Sequence, residues 1–231
     1  MKDFKHIPRK RFGQHWLKDQ GVLDQIVKAA ELNFEDCVLE VGPGKGALTE
    51  KLIESKARFI QAIELDRDLV AGLKKRFSHQ NKFSLREGDV LYAPLQAENG
   101  MIINKVVANI PYNITGPLLK RLIGELRKAP ENSFETLVLL MQKEVAERLV
   151  ALPGTSNFSA LSVRIQLLAK CHVVCDVPSK CFQPAPKVDS KVVAITPFVS
   201  SEPDFHKIGN LLEQLLKHAF AGRRKKLRNT I

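Results

Sequence analysis

The turn at residues 42–46 constrains this chain more than any other stretch. Val38-Leu39-Glu40-Val41 is a short apolar run, Gly42-Pro43-Gly44-Lys45-Gly46 follows it, and helical periodicity runs from Ala47 to Ser55. Glycines let a strand turn tightly into a helix, and without side chains they let a ligand approach the backbone. The turn is not a triphosphate-binding loop, because no Gly-Lys-Ser/Thr ends it. Nor is it Gly-x-Gly-x-x-Gly, since Gly46 comes two residues after Gly44. Taken alone it is compatible with a plain strand-to-helix turn.

The rest of the chain repeats the same unit. Val22–Leu32 reads as an amphipathic helix with Asp19 as its cap. Phe59–Ile63 is a second strand, followed by a charged helix over Asp68–Phe77. Phe83–Arg86 and Ile102–Ala108 are further strands. Thr115 is positioned to cap a helix over Pro117–Arg127, with Pro117 tolerated in its first turn. Thr136–Met141 is an apolar strand and Lys143–Val150 a helix. Strands alternating with helices at this spacing predict a parallel, doubly wound α/β sheet. Beyond Leu152 come a helix over Ala160–Ala169, an extended Cys171–Val177, a proline-punctuated loop from Ser179 to Ser190 and a strand over Lys191–Pro197. The stretch 197–203 holds two prolines and two serines and is the linker candidate. Phe205–Phe220 reads as an amphipathic helix. The expected organisation is a ligand-binding domain over residues 1–198 and the start of a smaller helical domain over 199–231.

Two acids answer the glycine turn. Glu64 ends the second strand, roughly twenty residues on, where a carboxylate can accept both hydroxyls of a ribose. Asp89, in Glu87-Gly88-Asp89-Val90 after the third strand, can accept from an adenine amino group. Each acid alone reads as a solvated strand-end residue. Three sites at successive strand ends lining one crevice fit an adenosine-bearing cofactor.

Past the fourth strand stands Asn109-Ile110-Pro111-Tyr112. An exocyclic adenine nitrogen is a poor nucleophile, because its lone pair is delocalised into the ring. Accepting its two hydrogens turns that lone pair toward a methyl donor, and the Asn109 side-chain oxygen and the Ile110 carbonyl can supply the two acceptors. Pro111 restricts Ile110 to an extended conformation, which aims its carbonyl. Tyr112 offers a ring on which the base can stack. A polar turn ending a strand is the plainer reading; behind a cofactor crevice the chemical one takes precedence.

The 231 residues carry a formal net charge of +11. Lys2, Lys5, Arg9, Lys10 and Arg11 cluster at the start, and Arg223, Arg224, Lys225, Lys226 and Arg228 at the end. Solvated tails would look the same, but basic clusters at both ends of a nearly balanced middle favour a nucleic-acid partner. No apolar run approaches the about twenty residues that span a bilayer, and the basic N-terminus lacks the apolar stretch of a secretory signal. A cytoplasmic home is expected, with an organellar one left open should a transit peptide have been removed. The cysteines are Cys37, Cys171, Cys175 and Cys181. Cys171, Val173 and Cys175 share a face if their segment is a regular strand, but no close Cys-x-x-Cys pair exists, so they read as small hydrophobes rather than zinc ligands and no metal is expected.

These motifs carry a resemblance. Arg11-Phe12-Gly13-Gln14-His15-Trp16-Leu17, Glu40–Gly46, Asn109–Ile114, Phe182-Gln183-Pro184-Ala185-Pro186-Lys187-Val188-Asp189-Ser190 and Arg223–Asn229 together are similar to the KsgA-type small-subunit ribosomal RNA adenine dimethyltransferases, relatives of the erythromycin-resistance rRNA methyltransferases. The resemblance implies a class I methyltransferase fold, that is, a Rossmann-like seven-stranded sheet with one antiparallel strand and a small C-terminal helical domain. It implies S-adenosylmethionine held by His15, Leu17, Gly42, Gly44, Glu64, Asp89, Val90 and Asn109, with Asn109, Ile110, Pro111 and Tyr112 at the reaction centre and Phe182 flanking the flipped adenine opposite Tyr112. It implies dimethylation of two adjacent adenines in a hairpin near the 3′ end of small-subunit rRNA within a pre-ribosomal particle, by a monomer that grips RNA through Lys10, Arg11, Arg223, Arg224, Lys225, Lys226 and Arg228. The chain departs twice from the family pattern. His15 stands where asparagine is usual, so cofactor affinity is expected to vary between pH 6 and 8. Ile231 directly follows the basic motif where relatives carry further helices, so the helical domain is expected to be minimal or truncated. The competing readings are a resistance-type enzyme acting on large-subunit rRNA, a DNA adenine methyltransferase lacking a visible sequence-reading domain, and a nucleic-acid-binding factor that keeps the fold without the chemistry.

Overall fold

The computed structural model describes residues 14–198 and 205–222. The basic clusters, including Lys10, Arg11 and Arg223–Arg228, lie outside them, as does 199–203 of the linker candidate. In chain order the elements are β1 Trp16–Leu17, α1 Gln20–Ala29, β2 Cys37–Val41, α2 Ala47–Glu54, β3 Phe59–Glu64, α3 Arg67–Arg76, β4 Phe83–Glu87 and β5 Lys105–Asn109. There follow α4 Thr115–Ile123, β6 Thr136–Gln142, α5 Lys143–Val150, α6 Ala160–Leu168, β7 Ala169–Val177, β8 Phe182–Gln183, β9 Ser190–Pro197 and α7 Phe205–Ala219.

Seven strands form one sheet in the order β4-β3-β2-β5-β6-β9-β7. The first five run parallel and β9 runs antiparallel between β6 and β7. The doubly wound sheet with one reversed strand is therefore present. β2 is all buried, as a strand covered on both faces must be. Its alternate residues feed two cores: Cys37, Leu39 and Val41 join Leu118, Leu122 and Leu149 on one side, while Val38 joins Leu23, Ile26 and Leu52 on the other. Strand order reverses between β2 and β5, and a crevice opens outside their carboxyl ends at such a switch point. β1 and β8 make a separate two-stranded ribbon, Leu17 opposite Phe182, which closes over that crevice.

Local chemistry accounts for most element boundaries. Asp19 caps α1, its Oδ1 accepting the Val22 N–H at 3.0 Å. The expected helix over Pro117–Arg127 is displaced toward the N-terminus. A 3-10 turn over Tyr112–Ile114 runs directly into α4, so Thr115 lies inside the helix, with its hydroxyl on the Tyr112 carbonyl at 3.2 Å, and does not cap it. The helix stops at Gly124, whose φ of +92° no helix can continue. The expected shared face of Cys171 and Cys175 is also corrected. A bulge between Val173 and Cys175 shifts the register on β9, so Cys171 packs in one core and Cys175 in the other. Burial pushes the Cys171 thiol up to about 12.

α7 is held tightly. A Cβ at Gly209 would sit 2.2 Å from the Leu126 carbonyl oxygen, so only glycine allows this approach of helix to backbone. Arg164 on α6 forks onto both carboxylate oxygens of Glu213 at 2.7–3.0 Å, and Phe220 packs against Phe158. Among the described residues no helix is long and apolar enough to cross a membrane.

Candidate active site

A cavity of about 1000 Å³ opens at the switch point, lined from the glycine turn, the ends of β3 and β4, residues 109–114 and the β1–β8 ribbon. His15, Leu17, Gly42, Gly44, Glu64, Asp89, Val90, Asn109, Ile110, Pro111 and Tyr112 all line it. Residues from five separate segments of the sequence thus meet in one space.

The glycine turn is shaped by its surroundings. Gly44 has φ +59°, and a Cβ there would meet the Trp16 ring at 2.8 Å; at Gly46, φ +84°, it would meet Phe77 at 2.8 Å. The turn is therefore squeezed between β1 and α3, with the Lys45 ammonium 4.3 Å from the Trp16 ring centre. Glu64 braces the turn from β3. Its two oxygens accept the Gly44 N–H at 3.1 Å and the Asp66 N–H at 2.9 Å. A carboxylate has about four lone-pair positions, so ribose hydroxyls can still be received. Burial raises the Glu64 carboxyl above its ordinary value, and these backbone bonds offset only part of the rise. Asp89 uses Oδ1 on the Leu91 N–H at 2.9 Å, which leaves Oδ2 for a ligand amino group. The loop after it is tied by Arg121 of α4, which donates to the carbonyls of Val90 and Ala93.

Asn109 ends β5. Its Nδ2 donates to the His15 carbonyl at 3.0 Å, and because a carbonyl only accepts, the amide orientation is settled and Oδ1 is left as an acceptor. Ile110 N–H is taken by Leu140 O at 3.0 Å, and the turn that follows closes from Ile114 N–H to Pro111 O, leaving the Ile110 carbonyl outside it. Pro111 sits at φ −57°, ψ 127°. The Tyr112 hydroxyl lies 2.7 Å from Ser190 Oγ.

Of the expected residues Phe182 is not part of the cavity lining, and His15, which is, also lies against the ring of Tyr112. Phe182 is 2% exposed and packs beneath the ribbon with Leu17, Val177 and Val192, because it is paired into β8; Gln183 and Pro184 line the cavity in its stead. The ring that faces Tyr112 is His15, with centroids 5.7 Å and planes 22° apart. The Nδ1 hydrogen of His15 is given to Pro184 O at 2.8 Å, which leaves Nε2 as an acceptor in the neutral ring.

Sequence reading passed over Glu40, Leu65 and Arg121. Glu40 is 1% exposed; Thr49 donates to its Oε2 at 2.7 Å, while Oε1 has no hydrogen-bond partner among the described residues. Burial pushes its carboxyl up to about 8. An acid inside an apolar strand was the available signal. The apolar Leu65, 47% exposed beside the glycine turn, offers a flat contact for a purine, and no pattern marks such a residue.

A family model described as ribosomal RNA adenine dimethylase matches residues 5–231. The ribosomal RNA small subunit methyltransferase A of Prochlorococcus marinus strain NATL2A is 88% identical over the whole of this chain and 79% of its own length. The protein of that name from Synechococcus sp. strain CC9902 is 62% identical over 98% of this chain and 82% of its own length. Among solved structures, a dimethyladenosine transferase from Plasmodium falciparum superposes with a TM-score of 0.78 at 35% identity, covering 94% of this chain and 74% of that one. The 23S rRNA methyltransferase ErmE superposes at 0.72 with 28% identity, covering 93% and 82%. The fold is the Rossmann-like methyltransferase fold, and the chain belongs to the ribosomal RNA adenine dimethylase family.

Proposed function

We propose that this protein transfers methyl groups from S-adenosylmethionine to the N6 amino groups of two adjacent adenosines in a hairpin loop near the 3′ end of small-subunit (16S) rRNA, within a pre-ribosomal particle. The observation that carries the reading is the pinned amide of Asn109. With Nδ2 committed to the His15 carbonyl, Oδ1 can only accept, and an aromatic amine presents hydrogens that need acceptors. The Ile110 carbonyl, aimed by Pro111, takes the second hydrogen. Tyr112 supports the base by stacking, worth about 1–3 kcal/mol in such sites. No strong base is required, because the amine becomes acidic as it is alkylated, and catalysis is chiefly positioning. A base held this way must leave its stack, which suits loop adenines.

The cavity fits the cofactor. S-adenosylmethionine supplies an electrophilic sulfonium methyl. Glu64 receives the ribose, and Asp89 with Val90 and Leu65 holds the adenine. Gly42 and Gly44 let the backbone come close, while the main chain at His15 and Leu17 meets the amino-acid end. Glu40 Oε1 is a buried polar atom with no hydrogen-bond partner among the described residues, and such atoms are rare unless a ligand or water completes them. No residue group used here calls for a metal. Residues 1–198 form the cofactor-binding domain and 199–231 belong to a helical domain that contacts RNA through Arg223, Arg224, Lys225, Lys226 and Arg228, with Lys10 and Arg11 assisting. The protein acts as a cytoplasmic monomer.

The test is labelled methyl transfer to undermethylated small subunits, large subunits and duplex DNA, followed by nucleoside mass analysis. Dimethyladenosine in the small subunit alone is expected. Label in the large subunit would favour the activity that the name of ErmE describes, and label in neither would leave a binding protein.

A further inference from the structure

Three bonds of the turn after β4 converge on Asp89. Its carbonyl accepts the N–H groups of Tyr92 at 2.9 Å and Ala93 at 2.7 Å, and its Oδ1 accepts that of Leu91 at 2.9 Å. Two carbonyls of the same turn are held from outside it. Arg121 of α4 donates through two of its nitrogens to Val90 O and to Ala93 O, the second at 2.7 Å. Hydrogen bonds from a charged donor are roughly twice as strong as neutral ones, and two prongs fix an orientation that one could not. Val90 is buried and lines the cavity. Tyr92, at the tip of the turn, is 83% exposed, so packing does little to hold that end.

The next part of the loop has its own brace. Arg86 of β4 donates to Pro94 O and, at 3.1 Å, to Gln96 O, while Leu95 and Ala97 are buried in the core. These bonds fall beyond the part of the loop that lines the cavity. Two arginines therefore grip consecutive stretches of one loop, one at the cofactor end and one away from it. Arg121 also lies in the last turn of α4, a helix that continues the 3-10 turn begun at Tyr112. One helix thus joins the segment that meets the target base to the turn that meets the cofactor's adenine.

We propose that Arg121 is a positioning residue for the cofactor: by fixing the carbonyls of Val90 and Ala93 it holds the Asp89 turn in the form that receives the adenine of S-adenosylmethionine. The guanidinium touches no reacting atom and acts through Asp89. The proposal rests on the assignment of Asp89 to the adenine amino group. A turn already ordered in the free protein costs the ligand nothing to order. Without the guanidinium, part of that ordering falls on the binding step and affinity drops. Methyl transfer at Asn109 is untouched once the cofactor is bound.

Wild type, Arg121→Met, Arg121→Lys, Arg86→Met, Asp89→Ala and the Arg121→Met, Asp89→Ala double variant are compared. Calorimetric Kd for S-adenosylmethionine is measured for each, with the melting temperature of the free protein. Cofactor KM and kcat are taken on undermethylated small subunits. Arg121→Met is expected to raise cofactor Kd and KM about tenfold, within the range by which residues in contact couple, with kcat at saturating cofactor within about twofold of wild type. Arg121→Lys, whose ammonium cannot reproduce the fork, falls between that variant and wild type. In the Asp89→Ala background the Arg121→Met step should cost under about threefold, because the group it positions is gone. Arg86→Met should lower the melting temperature and leave cofactor Kd within about twofold. Equal weakening by Arg86→Met, or an undiminished step in the Asp89→Ala background, would overturn the proposal and make Arg121 a general brace. So would a lowered melting temperature in Arg121→Met with cofactor Kd unchanged. If Asp89→Ala alone binds the cofactor as tightly as wild type, Asp89 itself has been misassigned, and the proposal falls with it.

Discussion

A buried acid lies near each end of strand β2, and the two are treated in opposite ways. Asp36, just before the strand, and Glu40, near its end, are each 1% exposed. Asp36 accepts the Asn33 N–H at 2.7 Å and Asn104 Nδ2 at 2.9 Å, and pairs with Lys105 Nζ at 3.0 Å. Lys105 also donates to the carbonyls of Ala30 and Glu31, each at 3.0 Å. Burial alone would raise the Asp36 carboxyl, but the bonds from Asn33, Asn104 and Lys105 together hold it below its ordinary value. Among the described residues Glu40 has a hydrogen bond from Thr49 alone, so burial prevails and its carboxyl rises to about 8. The end of the sheet that only anchors strands satisfies its charges. The end that faces the cavity keeps a polar atom open, which costs stability and leaves something for a ligand to complete.

Breaking the satisfied end should cost most. Lys105→Met leaves a buried carboxylate without its cation and should lose about 3–5 kcal/mol in urea unfolding at pH 7. Because the folded Asp36 carboxyl lies below 3.8, its paired charge stabilises above that pH and is lost as pH falls through the folded value. The penalty of Lys105→Met should therefore shrink in acid; a pH-independent penalty would mean the pair contributes little. At the open end, Asn109→Ala should slow single-turnover methyl transfer by about 10²–10³-fold, as for loss of one positioned group at a reacting centre, with melting temperature little changed. A merely few-fold loss would remove Asn109 from the chemistry.

Glu40→Gln sharpens the contrast. A carboxyl whose value rises from 4.5 to about 8 on folding makes the native state bind the extra proton, so wild-type stability falls as pH climbs from 4.5 to about 8 and then levels. The Gln variant escapes this. It should gain on wild type progressively across that window, while binding S-adenosylmethionine about tenfold more weakly. A variant that gained stability and kept its affinity would show that Glu40 faces the cavity without serving it. Least affected should be Arg148→Ala, which breaks the exposed i,i+4 pair with Glu144 and should change stability by under about 0.5 kcal/mol in the same titration.

Much of this was legible in the residues because periodicity and turn chemistry act locally. Asp19 caps α1, the glycine turn follows β2, and Glu64, Asp89 and Asn109 stand at successive strand ends, all as the pattern requires. What escaped was set by partners far along the chain. The Thr115 cap failed because a 3-10 turn had already begun the helix. The cysteine face failed because a bulge on β7 answers the register of β9. Glu40 was passed over because its burial depends on helices packed from both sides.

The order of apolar runs, glycines and acids determined the sheet, its crevice and the kind of ligand the crevice takes, since hydrophobic period and backbone freedom are written residue by residue. Only the tertiary structure decided which ring lies on Tyr112. That choice depends on β1 pairing with β8 across some 165 residues, Leu17 opposite Phe182, which buries Phe182 and brings His15 against Tyr112. A long-range pairing places side chains by geometry, and no local pattern encodes it.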